Sequence, residues 1–220
     1  MAVRCLTTQI GIVLVCSLVL AYGTATSYAD QFVNVENLKA DLRTRDIDRI
    51  VKTLNDVKRM GYEGQILPFL VDLWSNQKAK YSELPWEIIN SDIVRVDIAN
   101  VLLQAQRNGR IQINDDELYE FLAKLLGSSD LQVAQNAILT LSLIDEPRSV
   151  EKILSAANRK NKWTFRSSFV ALTSMCHPAA EKALDQLEVL VKDDRDISVE
   201  IQKGRLKMKE YKTRTGICKK

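Results

Sequence analysis

The chain carries a single histidine, His177, and that alone narrows its chemistry. A site that needs two imidazoles is excluded. His177 stands before Pro178 between two helical patterns, where a turn or capping role fits better than catalysis. No Cys-x-x-Cys pair offers a structural zinc set, no Gly-rich loop offers a phosphate cradle and no Gly-x-Ser-x-Gly elbow offers a nucleophile. Asp115-Asp116-Glu117, and Asp193, Asp194 and Asp196, are acidic enough to suggest a cation. Both groups lack the alternating oxygen ligands and central Gly of a calcium loop. They read instead as helix starts, with negative charge at the positive end of a helix dipole. The expectation is a non-enzymatic protein with no catalytic residue, no cofactor and no metal.

What remains is recognition chemistry. Tyr81 and Trp86 sit beside Lys78 and Lys80, and Trp163 sits among Lys160, Lys162 and Arg166. Amphipathic aromatics next to arginine are typical of interface hot spots. Tyr81, Trp86, Trp163 and Arg166 are therefore the partner-binding candidates; the competing reading tucks Trp86 and Trp163 under their loops as satellite core. From Lys203 to Lys220 there are Lys203, Arg205, Lys207, Lys209, Lys212, Arg214, Lys219 and Lys220 against Glu210 alone. Such an end either attracts an anionic envelope surface or is simply a solvated tail.

The N-terminus has the layout of a secretory signal peptide. Arg4 is its one base, Ile10–Ala21 is apolar apart from Gly11 and Ser17, and Ser27-Tyr28-Ala29 offers small residues at a cleavage site. About twelve apolar residues fall short of the roughly 20 that span a bilayer; an uncleaved anchor is the alternative, and Val13-Leu14-Val15-Cys16 is only a loose lipobox. Cleavage near Ala29 would leave an exported, soluble chain, periplasmic or secreted, with 30 bases and 28 acids. Nucleic acid is not an expected partner there. Cys5 and Cys16 would leave with the peptide. Cys176 and Cys218 would then either pair in an oxidising compartment or remain a buried and a free thiol. A bridge would close a loop of about 40 residues, contributing on the order of 4 kcal/mol in the chain-entropy model.

The elements that hold these residues read as helices. Only eight Gly and four Pro argue against a turn-rich β fold. Phe32–Arg43 predicts a leading helix. Ile47, Ile50, Val51, Leu54 and Val57 then form an amphipathic stripe, closed by Gly61, and Ile66–Trp74 pairs with it. Ser75–Asn90 breaks the rhythm as an inserted loop with a short helix from Pro85. Val94, Ile98, Val101, Leu102 and Ala105 resume it, stopped by Asn108-Gly109. Asn114 and Glu117 suggest a capping box for the next helix. Asp130 is the expected N-cap of a helix carrying Val133, Ala137, Ile138 and Leu141, and Pro147 starts its partner. Phe165, Phe169, Leu172 and Cys176 precede Pro178, Leu184 and Leu187. A last helix from Asp196 carries Ile197, Ile201, Met208 and Tyr211, with Gly204 as an expected interruption.

Val94 to Val133 is 39 residues, Val133 to Phe165 is 32, and Phe165 to Val199 is 34. Periods of this size mark arrays of helix pairs. Asp92-Ile93-Val94-Arg95 with Ile98-Ala99, and Phe165-Arg166, make the chain resemble HEAT-repeat proteins; Asp130 and Val133 follow the pattern, but Ala134 stands where an Arg is usual. The resemblance covers about Asp46–Tyr211. It implies an all-α fold, a short right-handed α-solenoid of about four to five antiparallel helix pairs. It also implies an inter-repeat ladder, with Asp92, Arg95 and Arg166 as candidates. A non-repetitive helical bundle is the alternative, and the strict tetratricopeptide pattern is missing.

The expected organisation is a signal peptide over 1–29, a leading segment over 30–45, the solenoid over 46–211 and a basic tail over 212–220. The expected function is a scaffold that docks an unidentified protein or peptide on a solenoid face. Two alternatives stand beside it. One is a bilin-lyase-like member of the resembling group. The other is an envelope-binding protein acting through Lys203–Lys220.

Overall fold

Asn34 opens the first helix: its Oδ1 accepts the backbone N–H of Asn37 at 2.9 Å. The computed structural model describes residues 34–60, 65–157, 161–192, 195–216 and 218. The expected signal peptide, Phe32, Gly61, Lys160, Asp193, Asp194, Lys219 and Lys220 lie outside the described residues. Residues 32–220 form one compact unit, separate from residues 1–31.

Among the described residues the regular elements are eleven α-helices: α1 (Val35–Thr44), α2 (Ile47–Met60), α3 (Ile66–Trp74), α4 (Trp86–Ile89), α5 (Asp92–Arg107), α6 (Asp116–Leu125), α7 (Leu131–Leu141), α8 (Pro147–Ala157), α9 (Lys162–Ser174), α10 (Pro178–Leu190) and α11 (Arg195–Thr215). Their starts follow local chemistry. Asp46 Oδ1 accepts from Arg49 N at 3.1 Å before α2, and Asp130 Oδ1 accepts from Gln132 N and Val133 N before α7. Asn161 caps α9 through Trp163 N. His177 caps α10, with its Nδ1 accepting from Ala179 N at 3.1 Å and Pro178 in the first turn. At α6 the expected capping box is replaced by a simpler turn: Asn114 Oδ1 accepts from Asp116 N, where the helix begins.

Helices α2, α5, α7, α9 and α11 each pack on the next in that series, while α3 packs on α5, α6 on α7, and α8 on α9. One continuous core runs from Leu38 to Ile201. Alanines let helices approach closely at these junctions; Ala99, Ala105, Ala137 and Ala171 are fully buried. In α5 the stripe Val94, Ile98, Val101, Leu102 and Ala105 is buried throughout.

The C-terminal helix corrects two expectations. First, Gly204 does not interrupt it: α11 runs unbroken from Arg195 to Thr215. A Cβ at Gly204 would stand 2.7 Å from Cε1 and Cζ of Phe169, so glycine is there because α9 and α11 touch. Second, Val199 is 40% exposed whereas Ile201 is 1% exposed, so Ile201 holds the core position and the last spacing is longer than the 34 residues counted to Val199. Replacing a mid-helix Gly with Ala ordinarily gains about 1 kcal/mol. For Gly204→Ala we expect instead a net loss of about 1 kcal/mol by urea unfolding, because the contact is overpacked. Phe169→Leu in the same chain should remove most of that loss, which a double-mutant cycle reads directly.

Candidate interaction surface

The insertion Ser75–Asn90 folds inward rather than presenting its aromatics. Trp86 Nε1 donates to the Tyr81 carbonyl at 2.8 Å, and Tyr81 OH donates to Asp72 Oδ2 at 2.9 Å. The Tyr81 ring meets Phe69 edge-on at 5.1 Å, with Lys39 over both rings. Lys78 lies 5.9 Å above Trp86. The hydrogen bond from Lys80 is the largest influence on Asp72; with Tyr81 it outweighs burial and holds the carboxyl below its usual range. Tyr81 and Trp86 are half-buried, packed against the main core above buried Leu84 and Ile89.

The expected ladder of Asp92, Arg95 and Arg166 takes a different form. Arg95 lies 4.0 Å from the Trp74 ring centroid and 5.2 Å from that of Phe121, and donates to the Trp74 carbonyl and Asn90 Oδ1. Burial pushes its guanidinium down, while Glu117 and Asp92 pull the other way. Arg95 is thus committed to a stack over two core aromatics, and Asp92 acts on it only through space. Arg166 crosses from α9 to α11, but its partner there is Glu200, at 2.9 Å. The polar links along the series use other residues: Lys58 to Asp97 between α2 and α5 at 3.5 Å, Asn100 to Thr140 between α5 and α7 at 2.9 Å, and Ser142 with Ser174 at the α7–α9 junction at 3.2 Å.

Cys176 and Cys218 are joined in a disulfide, with their Cα atoms 5.3 Å apart. The bond lies beside an open cavity of about 730 Å³ also lined by Arg107, Asp145, Glu146 and His177. Asp145 Oδ1 and Oδ2 accept the backbone N–H of Cys176 at 3.0 and 3.1 Å, and Oδ1 also accepts that of His177 at 2.9 Å. The carboxylate thereby ties the α7–α8 turn to the α9–α10 turn. His177 caps α10 and also lines this cavity.

The basic end is partly consumed inside the fold. Arg205 forms a fan to Glu181, Asp185 and Glu188 of α10 at 2.9 to 3.1 Å. Burial works against the Arg205 charge, but the three carboxylates outweigh it and raise its pKa. Lys212, expected in a tail beginning there, lies in α11 and donates to the Met175 carbonyl; burial pushes its pKa down.

Apart from Trp163, the sequence did not single out where large apolar side chains reach water. Most of them lie on α9, α10 and α11: Trp163 is 54% exposed, Val170 50%, Val189 66%, Leu190 56% and Leu206 61%. Only Ile47 and Leu139, at 37% each, stand out elsewhere among the described residues. Trp163 and Val170 are seven residues apart on α9, as are Val199 and Leu206 on α11, so each pair shares one helix face. Their signal in the sequence was weak, because an exposed and a buried valine look alike until the neighbouring helix is placed.

Among the described residues no group of three or more His, Cys, Asp or Glu is arranged to hold a metal ion, and no helix is long and apolar enough to cross a membrane. Compared with family profiles, with curated proteins and with solved structures, the chain has no match.

Proposed function

We propose that the protein is an exported, non-enzymatic scaffold, a HEAT-like α-solenoid that docks a protein partner at its C-terminal end. The observation that carries this reading is the concentration of exposed apolar side chains on α9–α11, with Trp163, Val170, Val189, Leu190 and Leu206 all at least half exposed. Clustered exposure of this kind marks interaction sites on otherwise well-packed proteins. Trp163 beside Arg166 supplies the aromatic–guanidinium pairing favoured at interface centres. The periods of the apolar stripes, the residues shared with HEAT repeats and the packing of α2, α5, α7, α9 and α11 in succession support the solenoid reading. The N-terminal sequence pattern supports export. Of the candidates the sequence offers, Tyr81 and Trp86 in the insertion have their polar atoms and rings engaged internally, so the docking surface is assigned to the other end.

A photo-cross-linking residue placed at Trp163, at Val189 or, as a control, at Trp86 tests this in cells that make the protein naturally. Trp163 and Val189 should yield the same discrete protein adduct, and Trp86 should yield none. An adduct from Trp86 alone, or none from any position, contradicts the proposal.

A further inference from the structure

We infer that the Cys176–Cys218 bond is a thiol-exchange site, opened by an external thiolate that attacks Cys218 and expels Cys176. The inference stands apart from the scaffold reading and needs no partner protein.

The two cysteines are held unequally. Cys176 lies at the α9–α10 turn, where Asp145 accepts its backbone N–H and that of His177. His177 in turn caps α10, which fixes the backbone on the far side as well. Cys218 lies beyond the end of α11, past Gly216, whose φ of 65° and N–H to the Lys212 carbonyl close the helix. Among the described residues no hydrogen bond or ion pair holds Cys218 besides the disulfide. Cys218 is exposed whereas Cys176 is half-buried, and both line the open cavity of about 730 Å³. An incoming thiolate therefore reaches Cys218, from water or through that cavity. Exposed disulfides are the labile and regulatory ones.

The charges favour the same direction of attack. Arg107 Nη2 lies 4.0 Å from Cys176 Sγ, and Arg107 forms no ion pair among the described residues. The other charged groups around the bond are engaged elsewhere. Asp145 holds the two backbone N–H groups, Asp115 and Glu146 face Arg148, and Lys212 donates to the Met175 carbonyl. His177 Nδ1 is occupied by Ala179 N–H. Arg107 is thus free to stabilise a thiolate on Cys176, and a thiolate so stabilised leaves faster.

The step balances as ordinary exchange. The incoming sulfur bonds to Cys218 Sγ, the Cys176–Cys218 bond breaks, and its electron pair leaves on Cys176 Sγ. A second thiolate attacks the mixed disulfide and releases Cys218. The protein gains two electrons and, with two protons, becomes a dithiol, while the reductant becomes a disulfide. The reductant class is a small thiol or dithiol. Cleavage leaves Cys176 in place on Asp145 and frees the chain after Gly216, so the bond acts as a reversible latch on the end of α11.

Glutathione and dithiothreitol are the probes, applied to the folded protein. Brief glutathione treatment, acid quench, alkylation and peptide mass analysis should place the adduct on Cys218 and the free thiol on Cys176. Dithiothreitol should open the bond while the amides of α7 remain protected from hydrogen exchange. Arg107→Gln should slow this native-state reduction about threefold, the size of one exposed charge pair, and leave the rate in denaturant unchanged. Arg107→Lys, which keeps the charge, should retain most of the native rate. Arg107 is exposed, and an unchanged circular dichroism melt verifies the fold of both variants. A bond that opens only when α7 unfolds, an adduct on Cys176, or an Arg107→Gln rate equal to that of the unaltered protein would each overturn the inference.

Discussion

Replacing Cys218 with Ser is expected to cost about 2–4 kcal/mol of unfolding free energy and to release α11 before any other helix. The Cys176–Cys218 bond spans 42 residues of chain, for which loop-closure entropy alone suggests about 4 kcal/mol. Cys218 itself is exposed, so the substitution removes little packing. What then keeps α11 on the fold is Ile201 in the core, the Gly204–Phe169 approach, the Arg205 fan and Lys212 on the Met175 carbonyl. The fan is the weaker part, because Glu181 and Asp185 are 63% and 66% exposed and surface pairs contribute about 0–1 kcal/mol each. Amide hydrogen exchange should therefore accelerate along α11 in Cys218→Ser while α5 and α7 stay protected. Dithiothreitol on the unaltered protein should reproduce the pattern. Unchanged protection of α11 after reduction would show that side-chain packing alone holds it.

The second large effect is expected at Asp97 and Lys58. Asp97 is 6% exposed, its Oδ2 has no hydrogen-bond partner, and Lys58 approaches its Oδ1 at 3.5 Å. Burial is the largest influence and raises the Asp97 pKa, against which the Lys58 charge and hydrogen bond work. Removing one member of a buried pair strands the other charge, at a cost of about 3–5 kcal/mol. Lys58→Met should thus destabilise by about 3 kcal/mol at pH 7.5. The double variant Lys58→Met with Asp97→Leu should recover most of that loss, since apolar replacement of a whole buried pair is often neutral or better. The sign with pH follows from the raised folded-state pKa. An Asp97 that holds its proton more tightly when folded favours the folded state fully below the unfolded value of about 3.9. That advantage is lost as pH rises through the folded pKa. The gap between single and double variant should therefore be widest at neutral pH and should narrow on acidification toward about pH 4. A gap that does not change with pH would mean that Asp97 is not the charge being stranded.

Both sites show where sequence reading stops. Periodicity placed Leu54, Ile98, Leu102, Ile138 and Leu141 in the core because spacing of three and four residues survives any tertiary arrangement. The caps at Asp130 and His177 were legible for the same reason, since their partners are two or three residues away. Asp97 falls among the polar positions of α5 by residue type, and nothing near it announces Lys58, which lies on another helix. Gly204 reads as a break until Phe169 is set beside it. Arg95 was read as a ladder residue from its motif, yet Trp74 and Phe121 take its guanidinium once α3 and α6 pack. The exposure of Trp163, Val189 and Leu206 depends on how α9, α10 and α11 are placed against their neighbours, which no local pattern gives.

Hydrogen–deuterium exchange of the protein with the partner recovered through the Trp163 adduct tests the docking assignment most directly. Binding should slow exchange in α9, α10 and α11, above all around Val189 and Leu206, and leave Ser75–Asn90 unchanged. Protection confined to Ser75–Asn90, with α9–α11 exchanging as in the free protein, would contradict it.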